Sequence, residues 1–249
     1  MFRQILTAFS ITLVFVVGLA LPVAADREDD IVTGKRLATL LRAGRNVVSS
    51  HQDLINNPEV GEKNLDSARV IDETLATYEE LAGEPAFAAE VDGLERTLMQ
   101  AELASIAAVI AEHEAEIDMA GVGFKGFIPA VFARLVNEHF AELVGDTALI
   151  KVTAPIDLVR NRRARPDDWE RNIIETKFLA PDWPTGEAFV EETEYKGRPA
   201  FRMLLPEYYS ASCLVCHGTP AGEVDVTGYP KEGRSEGDLG GAISITLFK

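Results

Sequence analysis

Along residues 31–119 the apolar positions recur near a 3.6-residue period, the mark of amphipathic helices packed on one face. Leu37, Leu41, Val48, Leu54 and Ile55 form the stripe of a first helix, which Asn56-Asn57-Pro58 stops. A second helix is predicted over 65–81, ended by Gly83-Glu84-Pro85. A long third helix is predicted over 86–118, with Gly93 as its weak point. Beyond the glycine-rich segment 121–127 the pattern changes. Residues 129–144 read as an apolar helix, and 148–152 and 156–159 as strands on either side of Ala154-Pro155. Pro166-Asp167-Asp168-Trp169-Glu170 opens a further helix with the stripe Trp169, Ile173, Ile174, Phe178. Residues 190–195 and 200–205 form a hairpin turned at Lys196-Gly197-Arg198, and 241–248 is a final strand. Helices before and between strands predict an α+β fold with a mostly antiparallel sheet, preceded by a long-helix, hairpin-like region.

The helical half contains a repeat. Residues 41–68 superpose on 103–130 without a gap: Leu41 on Leu103, Val47 on Val109, His51 on His113, Ile55 on Ile117. Val60, Gly61 and Lys63 then meet Val122, Gly123 and Lys125, and Ala68 meets Ala130, while Asn56 stands opposite Asp118. Identities that continue through the loop favour duplication of a helix, a Val-Gly-x-Lys loop and a second helix over coincidence.

Composition adds the compartment. Residues 1–25 read as a secretory signal: Arg3, an apolar run over 5–19, then Val23-Ala24-Ala25 as the cleavage site before Asp26. The competing reading is an uncleaved anchor, since the run approaches the length of a span. The expected plan is therefore signal 1–25, a helical region 26–120 with one copy of the repeat and the start of the second, and an α+β domain 121–249. Forty acidic residues face 24 lysines and arginines, for a net charge of −16. That balance argues against nucleic acid or an anionic membrane as partner, and suits a periplasmic protein with no membrane contact after signal cleavage.

The chemistry concentrates in Cys213-Leu214-Val215-Cys216-His217. Two thiols three residues apart can each add across a vinyl group of one haem, and the adjacent histidine then ligates iron as an axial donor. A short-range disulfide and a thioredoxin-like dithiol share the spacing, but no βαβ pattern precedes it and His follows the second Cys. Zinc would need four ligands, and the chain has only two cysteines. The reading is one haem c per chain, attached outside the inner membrane, which agrees with an exported chain.

A set of further motifs carries a resemblance. It comprises residues 123–129 (Gly-Phe-Lys-Gly-Phe-Ile-Pro), Arg160-Asn161 before 166–170, Phe201-Arg202, Pro206-Glu207-Tyr208-Tyr209, 212–218 around the two cysteines, and 227–242. Together they resemble the family of periplasmic c-type haem proteins with a PAS-like fold, which also serve as input modules of histidine kinases and chemoreceptors. The resemblance covers about residues 105–249 well. It implies a PAS-like sheet cradling one haem, with Cys213 and Cys216 attached and His217 ligating. Some members are similar in placing a cysteine thiolate on the far side of the iron; Phe132 aligns there, and phenylalanine cannot ligate. The distal position is then open, or filled by His51 or His113. His139, Met99, Met119 and Met203 complete the candidates. Lys231 and Arg234 are candidate partners for the haem propionates, with Arg160, Arg162 and Arg163 as alternatives.

Two functional classes follow. One is a redox or small-ligand sensing module that takes up a diatomic gas or changes ligand with redox state; the sequence stops at Lys249, so its signal is expected to pass to a partner protein. The other is an electron-transfer cytochrome docking through its acidic surface. No paired acid and base near the motif argues for an enzyme, so none is expected.

Overall fold

The computed structural model describes residues 22–88 and 93–249. The leader expected over 1–25 lies outside the described residues, except that 22–25 open the first helix. The helices are α1 (Pro22–Ser50), α2 (Gln52–Ile55), α3 (Ser67–Ala82), α4 (Gly93–Ile117) and α5 (Pro129–Val144). After them come β1 (Ala148–Thr153), α6 (Asp168–Ile173), β2 (Phe189–Tyr195), β3 (Arg198–Tyr208), α7 (Leu214–His217) and β4 (Leu239–Phe248). No described helix is long and apolar enough to cross a membrane.

Local chemistry accounts for the ends. Asp66 accepts the Arg69 backbone N–H at the start of α3, and Gly83, at φ 77°, closes it in the left-handed region. Pro129 stands in the first turn of α5, where its missing N–H costs nothing. Asp167 and Glu170 make a reciprocal capping box on α6, which runs on as a π-helical turn over Ile174–Phe178.

Two expectations are corrected. The third helix begins at Gly93, not at 86: Gly93 has a φ of 53°, which a right-handed helix cannot carry through its interior. Residues 156–159 are not a strand. Ile156–Leu158 is a 3₁₀ turn, because Pro155 offers no N–H for a ladder and the Leu158 N–H folds back onto the Pro155 carbonyl at 2.9 Å.

The four strands form one antiparallel sheet in the order β1-β4-β3-β2. Ile150 and Met203 both pair with Ile245, and Val152 and Leu205 with Ile243, so one face presents a continuous apolar layer. That face packs on α1 and α5 and joins the helices in a single core. The opposite face carries a smaller cluster in which Leu204 and Ala242 meet Ile173, Ile174 and Phe178. Arg202 is buried here, bonded to Asp167 at 2.7 Å and lying 4.1 Å from the Trp169 ring centre. The Phe201-Arg202 pair is therefore structural: Phe201 fills one core and Arg202 anchors α6 to the other face.

The stretches that match in sequence also carry matching elements. The second helices of the two units, α3 (Ser67–Ala82) and α5 (Pro129–Val144), start and stop at positions that correspond in the superposition, and α2 and α4 end at the matched Ile55 and Ile117. The loops lock each other reciprocally. Asn56 accepts the Lys125 backbone N–H at 3.0 Å, and Asp118 accepts that of Lys63 at 2.8 Å. Each lysine ammonium also donates to a carbonyl of its own loop, Lys63 to Val60 and Lys125 to Val122. A Cβ on Gly44 would lie 3.2 Å from Ile106, its counterpart in the other copy, so the units cross at matched positions. Exchanged caps and self-contacts of equivalent residues are what an approximate two-fold produces.

Candidate functional site around Cys213, Cys216 and His217

Strand β3 delivers the motif. Its last residues carry Glu207 to the end of the strand, and the chain then turns through Tyr209 into a 3₁₀ turn (Ala211–Cys213) and α7. Helix α1 holds this corner from outside. Arg42 and Arg45 grip the two Glu207 oxygens at 2.5 and 2.8 Å, and Ser49 meets Ser212 at 3.3 Å. These α1 residues follow helical spacing and share one face.

The loop after α7 folds back onto the motif. The Arg234 N–H donates to the His217 carbonyl at 2.8 Å, and the Gly233 N–H to that of Gly218 at 3.1 Å. Gly233 must be glycine: its φ is 74°, and a Cβ there would sit 2.8 Å from that of Ala221. This return places Glu232 Oε2 2.8 Å from His217 Nδ1. An ionised carboxylate only accepts, so Nδ1 carries a hydrogen, and in the neutral ring Nε2 keeps its lone pair. Tyr209 stacks on the same ring at 4.8 Å and 28°. Nε2 has no hydrogen-bond partner among the described residues.

Arg160 organises the acids. It donates to both Glu232 oxygens at 2.8 and 3.0 Å, to Asp225 at 2.7 Å and to the Cys216 carbonyl at 2.9 Å. Burial opposes ionisation of Glu232, but hydrogen bonds from Arg160 and His217 outweigh it and hold its carboxyl below the ordinary value. Asp225 is depressed further, because Thr227 and Arg160 add to two backbone donors against the burial cost. Burial pushes the Cys216 thiol up, and the adjacent Asp225 charge adds to it. Burial also raises the Tyr209 hydroxyl to about 12. Both cysteines are free thiols, each partly exposed.

The motif also exposes apolar surface. Val215, Val224, Val226, Tyr229 and Ile156 are exposed on α7, the following loop and the turn after β1. Ile156 also lines a cleft of about 420 Å³, together with Val159, Arg160, Arg162 and Arg165. The arrangement offers two thiols on one turn, an oriented imidazole with one free nitrogen, and unpartnered apolar side chains.

The other candidates have contacts of their own. His51 bonds Glu73 at 2.6 Å between α1 and α3. His113 bonds the Val109 carbonyl at 2.9 Å and leans on Phe127. His139 meets Glu112 at 3.0 Å. Met99 and Met203 are buried in the core, Met119 is exposed, and Phe132 is buried against the Gly44 backbone. No hydrogen bond or ring contact among the described residues joins any of these to the motif. Lys231 is held by Glu223 at 2.7 Å, Arg234 by Asp157 at 3.1 Å and Arg163 by Glu138.

Sequence reasoning missed Glu232, Tyr209 and Asp225 as partners of the motif. Tyr209 and Glu232 lie inside segments quoted for the resemblance, but nothing in their spacing foretells contact with His217. A family model described as Tll0287-like matches residues 34–247, a span that takes in most of α1, the rest of the helical half and nearly all of the sheet with the motif. No curated protein and no solved structure matches the chain.

Proposed function

This chain belongs to the Tll0287-like family, and on that premise we propose that it is a periplasmic monohaem protein acting as a redox or small-ligand sensing module. In this reading Cys213 and Cys216 would hold the haem covalently and His217 Nε2 would ligate its iron. The observation that carries it is the Arg160–Glu232–His217 chain of hydrogen bonds. A carboxylate on Nδ1 orients a metal-binding imidazole and raises the donor strength of its other nitrogen. A surface histidine with no ligand to hold has no need of such a relay.

The residues present fit the group. Both thiols are unpaired, Nε2 is unencumbered, and the exposed Val215, Val224, Val226 and Ile156 suit the face and edge of an apolar macrocycle. When bound, haem would supply a one-electron couple and a site for a small ligand. The protein's part is to fix His217, shield it with Tyr209, and connect the site to α1 through Ser212–Ser49 and Glu207–Arg42/Arg45. That connection favours sensing, since a change at the motif reaches a 29-residue helix directly. The acidic surface favours the second reading, electron transfer to a basic partner. Neither reading calls for catalysis.

The test is expression with a cytochrome maturation apparatus, then denaturation and acid-acetone extraction. Haem should stay with the polypeptide, and Cys213→Ala with Cys216→Ala should abolish attachment; a wild-type chain that releases its haem overturns the proposal. Optical spectra of both oxidation states separate the two classes. Carbon monoxide uptake by a high-spin ferrous form supports sensing, and an inert low-spin iron supports electron transfer.

A further inference from the structure

Six basic side chains lie on the loops around the motif: Arg160, Arg162, Arg163, Arg165, Lys231 and Arg234. Four are taken by acids, as given above. Arg162 and Arg165 have no carboxylate among the described residues, and they line the 420 Å³ cleft together with Ile156 and Val159. In a chain of net charge −16, the cleft thus brings together two guanidiniums left without acids.

Their backbone is not loose. The Arg163 N–H donates to the Asn161 side chain at 3.0 Å, and the Arg165 N–H to the Arg162 carbonyl at 3.2 Å. From β1, Thr153 donates to the Ala164 carbonyl at 2.8 Å and Lys151 to the Arg165 carbonyl at 2.6 Å. The sheet thus pins the segment through its carbonyls while leaving the two guanidiniums uncommitted. Arg160 joins the cleft to the motif, since it lines the one and bonds the Cys216 carbonyl of the other.

We propose that Arg162 and Arg165 form a carboxylate-binding site at this cleft, and that the carboxylates it receives are the two haem propionates. The assignment rests on the covalent-haem reading. Planar guanidinium forks match carboxylates in bidentate geometry. The apolar Ile156 and Val159 that line the same cleft suit the edge of the ring that carries those carboxylates. Lys231 and Arg234, expected from the sequence for this role, are each already paired with an acid.

The test is arginine modification by phenylglyoxal with peptide mass spectrometry, on the haem-loaded chain and on the chain produced without maturation. Arg162 and Arg165 should react about tenfold more slowly or less in the loaded form, the size expected for one charge-assisted bond. Exposed Arg171 should react equally in both. Equal labelling of Arg162 and Arg165, in a chain whose 213–216 peptide carries the haem mass, overturns this proposal alone. Loss of that mass in the matured wild type overturns the haem reading beneath it. The double variant Arg162→Gln/Arg165→Gln should keep its haem and shift to a lower midpoint potential, because two positive charges leave the vicinity of the iron; an unmoved potential counts against the site. Calorimetric titration of the loaded wild type with succinate should show no binding. Succinate binding that the double variant abolishes would show that the cleft takes a free carboxylate, which overturns the propionate assignment.

Discussion

Glu232 Oε2 lies 2.8 Å from His217 Nδ1, and this contact sets which ring nitrogen is available. Arg160 grips the same carboxylate with two nitrogens, so one guanidinium orients the acid and the acid orients the imidazole. Arg160, Glu232 and His217 are widely separated in the chain, and the return of the 218–234 loop brings them together.

Arg160 should make the chain acid-sensitive. Glu232 and Asp225 are both held below their ordinary values, so the stability they contribute is complete above their unfolded values, near pH 4. It is lost as pH falls through the lower, folded values. Urea midpoints of the wild type should therefore drop steadily below pH 4. Arg160→Met should cost about 3 kcal/mol at neutral pH, since it strands the buried Asp225, and should flatten the acid limb. Parallel curves for the two proteins would refute the network.

The Tyr209 ring should matter more than its hydroxyl. The ring stacks on His217, whereas the hydroxyl reaches Nδ1 only at 3.4 Å, behind the closer Glu232. Tyr209→Phe should cost under about 1 kcal/mol. Gly240→Ala should cost about 1–3 kcal/mol, because its Cβ would lie 2.8 Å from the Tyr209 ring. The His217 ring resonances in an NMR spectrum should move in Gly240→Ala and hold nearly still in Tyr209→Phe.

Glu102 is a defect of the second repeat. It is fully buried on α4, neither carboxylate oxygen has a partner, and burial raises its carboxyl well above the ordinary value. Leu40, also fully buried, occupies the matched position in the first unit. A raised folded value means stability is lost as pH climbs above the unfolded carboxyl value. Glu102→Leu should raise stability by about 1–3 kcal/mol at pH 7 and remove that slope, so the gain should be smaller near pH 3. A destabilised variant at pH 7 would show that the carboxyl has a role in the core.

The two-fold exchange predicts matched losses. Asn56→Ala and Asp118→Ala each remove the cap on the other unit's loop, so each should cost about 1 kcal/mol in a denaturation experiment. Hydrogen exchange should reveal the crossing: Asn56→Ala should expose the Lys125 amide, and Asp118→Ala the Lys63 amide. Exposure of the residue's own loop instead would contradict the reciprocal arrangement.

What could be read from the sequence is what short-range chemistry governs. Periodicity and caps located α3, α5, α6 and the β2–β3 hairpin, because a proline, a capping carboxylate or a left-handed glycine acts within one turn. The Cys213–His217 motif was legible for the same reason: its donors are adjacent in the chain. The repeat was visible as identities, but its meaning was not, since only packing shows that Asn56 caps the loop of Lys125. The expected strand at 156–159 and the early start of the third helix failed where apolar composition alone had to decide, and backbone geometry at Pro155 and Gly93 decided otherwise. The partners of His217 and the freedom of Arg162 and Arg165 belong to tertiary structure alone. Whether a charged side chain is spent or available depends on which acid the folded chain brings within 3 Å, and charges distant in sequence carry no local signal of that meeting.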